Sequence, residues 1–321
     1  MAWEERVASA QLHGTSVAER SWQSIVGNDT HRFVNYLQHA FRRPTCPSGA
    51  PSRRIGNSGD GGWTICRSSD LDAHGCTILS IGIGDDDSFD HGSASLFPQC
   101  SVAMVDPTPS VVKRYSGPEQ EWRSTSQPNL RFVPWGLAAA DAATTLNNVY
   151  TSYTPTAPLT MLTLRSIRQR LGWSIDRPIT LLKIDIEGFE WLELQLNASE
   201  PANRKLRRAE THATTLLPEL LAQPAGFLQL AIELHSGTPR IWQDVVDSLE
   251  QRGFLLRAVN GARMHGGRMP LAEFTFLRSA AGRSTSSPLI PAQPAAAHQQ
   301  QHLHLSMRNH PAVRSGPRIG T

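Results

Sequence analysis

No run of apolar residues in the 321-residue chain approaches the ~20 needed to cross a bilayer. Residues 1–20 are too polar for the core of a signal peptide. The expectation is a soluble, intracellular protein with no membrane segment, the secretory lumen being the alternative. Cysteine is scarce: Cys46, Cys66, Cys76 and Cys100 make up the whole set, and none forms a Cys-x-x-Cys pair. That removes the zinc ribbon and zinc finger classes. Buried free thiols are expected, with disulfides left open for an oxidising compartment. Acids are absent from 279–321, which holds Arg283, Arg308, Arg314 and Arg318. The net charge of +3 therefore belongs to the tail. The remainder is close to neutral, so no nucleic-acid partner is expected.

Residues 1–49 read as a helical lead-in. Phe33, Tyr36, Leu37 and Phe41 recur at helical spacing before Pro44 and Pro47. From 50 to 279, short apolar runs alternate with helical stretches, the pattern of a parallel sheet covered by helices. Strands are expected at 77–83, 101–106, 130–137, 179–186, 228–234, 254–259 and 273–277. The link 260–270 is too short for a parallel crossover and suits an antiparallel pair. The expected fold is thus α/β and doubly wound, a seven-stranded, mostly parallel sheet with an antiparallel terminal hairpin. Residues 198–224 read as an insertion. Its basic run Arg204-Lys205-Leu206-Arg207-Arg208 is a solvated face or an acceptor-binding patch. Residues 280–321 are rich in Ser, Pro, Ala, Gln and His without periodicity and read as disordered. His298, His302 and His304 in this tail offer adventitious metal ligands.

Ser80-Ile81-Gly82-Ile83-Gly84 ends a strand in Gly-x-Gly, followed by Asp85-Asp86-Asp87 and Ser88, a candidate N-cap. Such glycines allow a sharp turn and close approach of a ligand. A dinucleotide site needs a phosphate-binding helix start and a third glycine. This loop has three acids and no third glycine. The acids would repel a diphosphate but tolerate the ammonium and sulfonium of S-adenosylmethionine, or else simply neutralise the helix start. Asp106 closes the next strand at the spacing of a ribose-binding acid. Upstream, Gly59-Asp60-Gly61-Gly62-Trp63 suggests a tight loop folded over something. Asp60, Gly61, Ser80, Gly82, Gly84 and Asp106 are the candidate cofactor residues.

Leu181-Leu182-Lys183-Ile184-Asp185-Ile186-Glu187-Gly188-Phe189-Glu190-Trp191 holds the second constellation. Strand alternation puts Lys183, Asp185 and Glu187 on one face. Charges on a central parallel strand are costly unless paired or near the open cleft. Glu233 and His235 repeat the theme on the following strand. If the two strands are neighbours, Asp185, Glu187, Glu233 and His235 converge at one edge. Asp185 and Glu233 would place an acceptor and His235 would take its proton. A structural hydrogen-bond network is the competing reading. No metal is assigned, because no ligand set is diagnostic, although a divalent ion between Asp185 and Glu233 stays open.

Arg54-Ile55-Gly56 with the Gly59–Trp63 run and Cys66, Ser80-Ile81-Gly82-Ile83 with Ser88-Phe89, Val105-Asp106-Pro107-Thr108, the Leu182–Trp191 run and Glu233-Leu234-His235 follow in that order. Together they resemble the methyltransferase-like protein 24 group, which is related to FkbM-type methyltransferases. The resemblance spans about 53–278. It implies a seven-stranded methyltransferase fold, S-adenosylmethionine as cofactor, and O-methylation of a small-molecule, glycan or protein acceptor. Ser80 departs from the acid that many methyltransferases carry there. The group's hydrophobic N-terminal anchor has no counterpart in this chain. A non-catalytic interaction protein and a nicotinamide-dependent oxidoreductase are the alternatives.

Overall fold

In the computed structural model, the described residues are 30–40, 46, 50–58, 61–115, 122–138, 140–144, 159–186, 226–235, 239–265 and 269–279. The chain divides into units 1–284 and 285–321, and every described residue lies in the first. Asp60, Glu187, the basic run at 204–208 and the histidines of the tail lie outside the described residues.

The strands are β1 Ser52–Ile55, β2 Trp63–Cys66, β3 Thr77–Ile81, β4 Ser101–Val105, β5 Trp122–Arg123, β6 Leu130–Val133, β7 Trp135–Leu137, β8 Ala142–Thr144, β9 Leu159–Leu162, β10 Ile179–Ile184, β11 Phe227–His235, β12 Phe254–His265 and β13 Met269–Arg278. The helices are α1 Thr30–Ala40, α2 Ser69–Asp72, α3 Ser88–Leu96, α4 Pro109–Tyr115, α5 Leu164–Arg170 and α6 Pro239–Glu250.

The main sheet has the order β12-β13-β11-β10-β3-β4-β6-β5. β6, β4, β3, β10 and β11 run parallel to one another. β13 lies antiparallel between β11 and β12. The sheet therefore has eight strands rather than the expected seven. The extra strand, β5, is a two-residue edge pairing antiparallel to β6. The expected strand 130–137 also divides at Pro134. Its second half, β7, leaves for a separate three-stranded sheet with β9 and β8. A proline lacks the N–H that a continuing ladder needs. β12 and β13 are longer than expected, so the link between them shrinks to 266–268.

Side-chain alternation divides the core in two. Leu79, Ile81, Leu182, Ile184, Leu230, Ile232 and Phe274 face one side, against α1, α5 and α6. On that side Phe33 of α1 meets Trp242 edge-on, and Trp242 meets Phe274. The lead-in helix is thus part of the core, and its expected apolar face (Phe33, Tyr36, Leu37) is buried. Ile78, Val102, Met104, Leu181 and Ala231 face the other side, against the β1–β2 hairpin, α3 and α4.

The cysteines correct the expectation of free thiols: Cys46 pairs with Cys66 and Cys76 with Cys100. Cys76 directly precedes β3 and Cys100 precedes β4, whose first residues Thr77 and Ser101 are register partners. The sheet brings the second pair together, and a spacing along the sequence cannot show that. Among the described residues, no helix is long and apolar enough to cross a membrane.

Candidate active site

The side of the sheet facing the hairpin carries a polar column across its middle. Ser80 on β3, Lys183 on β10, Gln229 and Glu233 on β11, and Glu273 and Thr275 on β13 are all buried there. The β1–β2 hairpin covers this column. Gln229 accepts a hydrogen bond from the Cys66 amide at 3.2 Å, and Thr275 donates to the Thr64 carbonyl at 2.6 Å. Arg54 reaches down to Glu273 at 3.7 Å. Trp63 lays its ring over the Lys183 ammonium, 5.3 Å from the ring centre.

At the carboxyl edge, β3 ends one residue before Gly82, and the turn that follows is pinned from below. The Gly82 amide donates to the Val105 carbonyl at 2.9 Å. Asp106 Oδ2 accepts from the amides of Ile83 at 2.7 Å and Gly84 at 3.0 Å, while Oδ1 accepts from Thr108 at 2.7 Å. A carboxylate offers about four acceptor positions. Three of Asp106's are thus taken by main chain, which leaves room for about one ligand hydroxyl. Gly82 has φ +79°, and a Cβ there would collide with the carbonyl oxygen of Asp185. The glycine there permits the close contact between β3 and β10. Gly84, at φ +59°, has open space where a Cβ would stand. Of the two glycines, Gly84 is the one that faces room for a ligand. Ser80 is wholly buried beneath the turn.

The three acids of the loop are engaged within the protein. Asp85 pairs with Arg114 at 3.2 Å. Asp86 accepts from Asn57 Nδ2 at 2.6 Å and from the Ser88 amide at 2.9 Å. Asp87 accepts from the Tyr115 hydroxyl and lies 3.8 Å from Arg114. Burial acts to raise the Asp86 carboxyl, but the hydrogen bonds from Ser88 and Asn57 outweigh it and hold it below the ordinary value. Burial pushes the Tyr115 hydroxyl up, and its bond to Asp87 adds to this. Asn57 and Gly61 lie against these acids. Asn57 N donates to Ser88 Oγ at 2.8 Å, and a Cβ on Gly61 would enter the Asp86 carboxyl. Of the glycine-rich stretch, Gly61 is thus packed against the acidic turn. Ser88 begins α3 and does not cap it, Asp87 holding the N-cap position.

The second constellation assembles as the strand faces require. β10 and β11 are parallel neighbours with Ile184 opposite Ile232, so Asp185 and Glu233 follow side by side. His235 Nε2 lies 3.0 Å from Glu233 Oε2 and 3.9 Å from Asp185 Oδ1. Asp185 turns its other oxygen to Lys183 at 3.6 Å. Lys183 also donates to the Gly82 carbonyl, joining the glycine turn to the acid cluster. One ligand atom from each of Asp185, Glu233 and His235 lies within 4.8 Å of the others. Burial pushes Glu233 up to about 7; the hydrogen bond with His235 opposes this and the Asp185 charge adds to it. Among the described residues, Glu233 Oε1 and Asp185 Oδ1 are buried atoms that receive no donor, and the contact between the two carboxyls adds to the upward push on Glu233.

Several residues here carried no motif. Asp90, in the first turn of α3, is fully buried near Lys183 and Ser80, and burial pushes its carboxyl up to about 6 against the pull of Lys183. Asn57, Arg114, Tyr115 and Glu273 are likewise tertiary partners that no local pattern marks. A cavity of about 240 Å³ lined by Arg123, Asn129 and Arg131 opens at the starts of β4 and β6. That is the opposite edge from the one at which such sheets bind ligands.

Two solved structures align with the chain. The antibiotic-resistance methyltransferase Kmr aligns at 15% identity over 71% of this chain and 100% of its own, with a TM-score of 0.32. A mutant 16S rRNA (adenine(1408)-N(1))-methyltransferase with cosubstrate SAM, from Catenulisporales acidiphilia, aligns at 11% identity over 70% and 98%, with a TM-score of 0.31. No curated protein sequence matches the chain. A family model described as a methyltransferase domain matches residues 2–224, which takes in the glycine turn, Asp106 and Asp185 and stops short of Glu233 and His235. That match covers well over half of the sequence, and the chain belongs to this methyltransferase-domain family.

Proposed function

We propose that the chain is an S-adenosylmethionine-dependent O-methyltransferase, allied to the methyltransferase-like protein 24 and FkbM-type groups. The observation that carries the reading is the meeting of Asp185, Glu233 and His235 at the carboxyl edge of β10 and β11, against the glycine turn that ends β3. When bound, S-adenosylmethionine supplies an electrophilic methyl group. The open side of Gly84 and the remaining acceptor position of Asp106 fit its ribose. Asp85 is paired to Arg114 but its side chain is 97% exposed, so it remains within reach of the cofactor's cationic end. Asp185 orients an acceptor hydroxyl, since positioning is a large part of the rate of an in-line transfer. His235, supported by Glu233, takes the hydroxyl proton. The acceptor is a small molecule, glycan or protein hydroxyl. The two disulfides favour maturation in an oxidising compartment such as the secretory lumen.

Calorimetric titration of the full chain with S-adenosylhomocysteine and NAD tests the cofactor. S-adenosylhomocysteine should bind at one site and NAD should not; the reverse outcome, or no binding of either, overturns the proposal. Asp185→Asn should keep S-adenosylhomocysteine affinity and lose labelled-methyl transfer to hydroxyl acceptors by ~10²-fold or more.

A further inference from the structure

We infer that Asp185, Glu233 and His235 form a site for one divalent cation of intermediate hardness, Mn²⁺ or Zn²⁺, which docks the oxygen of the acceptor. The docking half rests on the methyl-transfer reading, whereas the binding of the ion does not.

Geometry is the first ground. Ligands at ~2.1 Å from a shared ion stand about 3.0 Å apart at right angles and about 4.2 Å apart across it. His235 Nε2 is 3.0 Å from Glu233 and 3.9 Å from Asp185, inside that range. Glu233 and His235 project from β11, where they are paired with β13, and Asp185 directly follows the last β10–β11 pair with its amide bonded to the Ile81 carbonyl at 2.9 Å.

Unmet bonding is the second. Glu233 is only 5% exposed, and its Oε1 receives no donor among the described residues. Asp185 gives Oδ2 to Lys183, while its Oδ1, on the His235 side, likewise receives none among them. A buried acceptor left without a donor is costly. Lys183 pairs with Asp185, and Arg54 reaches Glu273. Two buried carboxyl oxygens and an imidazole thus face one another, which is the arrangement a divalent cation joins.

Donor chemistry selects the ion. Two carboxylates and one imidazole lie between the all-oxygen sets of Ca²⁺ and Mg²⁺ and the thiolate sets of softer metals. Three protein ligands leave a coordination position open, as in catalytic rather than structural sites. Asp185, with 23% of its side chain exposed, marks the open side. With the ion bound, His235 becomes a ligand. A bound ion would lower the pKa of a coordinated acceptor hydroxyl, so that its proton could pass to water.

The test is titration of chelator-stripped full chain with MnCl₂, followed by calorimetry and by electron paramagnetic resonance of free Mn²⁺. One Mn²⁺ per chain is expected, bound at least tenfold more tightly than Ca²⁺. Asp185→Asn, Glu233→Gln and His235→Ala should each weaken it at least tenfold. Joint His298→Ala, His302→Ala and His304→Ala substitution should leave it unchanged. No saturable site in the wild type, affinity that survives the cluster substitutions, or affinity that follows the tail histidines overturns the inference. Should a buried substitution unfold the protein, Asp185→Asn, near-isosteric and partly exposed, decides alone. S-adenosylhomocysteine binding separates the two claims. If it binds and Mn²⁺ does not, the ion fails and His235 stays a base. If Mn²⁺ binds and it does not, the methyltransferase reading fails and the ion site stands.

Discussion

The two halves of the cleft are finished to different degrees. On the β3–β4 side, Asp106 is bonded to three amides, and Asp86 is bonded to Asn57 and Ser88. On the β10–β11 side, Asp185 and Glu233 each keep a buried oxygen that receives no donor among the described residues. Bonding Asp106 and the loop acids to their neighbours makes a stiff mould for a ligand of fixed shape, although Ser80 Oγ and Asp90 Oδ1 beneath it receive no hydrogen bond among the described residues. Leaving bonds unmade stores affinity for a visitor that brings a donor or a charge. The first side suits a cofactor that is always the same, and the second suits an ion and a reacting hydroxyl.

The sharpest way to break this contrast is at its seam. Gly82→Val forces a side chain into the Asp185 carbonyl at φ +79°. It should cost several kcal/mol, about 1–2 from the left-handed backbone and more from the forced separation of β3 and β10. Gly84→Ala, at φ +59° with open space, should cost only about 1–2 kcal/mol. Denaturant midpoints measure both. If the two variants lose equal stability, the seam is not a close contact. Only for Gly84→Ala is a loss of S-adenosylhomocysteine affinity a statement about the ligand.

Asp106→Ala gives a smaller effect. It strands three amides and should destabilise the apoprotein by roughly 1–3 kcal/mol before any ligand is added. An Asp106→Ala protein as stable as wild type that still fails to bind would return Asp106 to a pure ribose ligand.

A further effect, spread over pH, concerns Asp90. Its folded carboxyl lies at about 6 against an ordinary 3.8, with Lys183, Ser80, Asp87 and His91 around it. A raised carboxyl contributes stability that is full below pH ~3.8 and is lost as pH rises through about 6, at most ~3 kcal/mol in all. Asp90→Asn removes that slope, so the variant should lose less stability than wild type between pH 4 and 7. Urea midpoints across this range check it, and an unchanged slope would assign the titration to another group such as Glu233.

Much of the fold was legible because apolar alternation and glycine turns are local. The five parallel strands and the strand-sharing of Asp185 with Lys183, and of Glu233 with His235, follow from a period of two. The eighth strand was not legible, since two residues at an edge carry no periodicity. Nor was the departure of β7, although Pro134 marked the place. In the site, the pairing of Asp185 with Glu233 needed only neighbouring strands. The engagement of Asp85, Asp86 and Asp87 by Arg114, Asn57, Ser88 and Tyr115 depends on partners up to 29 residues away. Read as free charges, the three acids explained too much. The disulfide between Cys76 and Cys100 was hidden for the same reason, because strand register and not spacing brings the sulfurs together.

The contact of Gly82 with the Asp185 carbonyl has a consequence for selectivity. On the proposed reading, donor side and acceptor side meet there through the Gly82 and Asp185 main chain. Their separation is therefore indifferent to what the surrounding residues are. Substitutions around the mouth of the cleft can reshape which molecule enters while the distance over which a methyl group must travel stays constant. A catalyst built this way can change its clientele without having its reaction coordinate recalibrated.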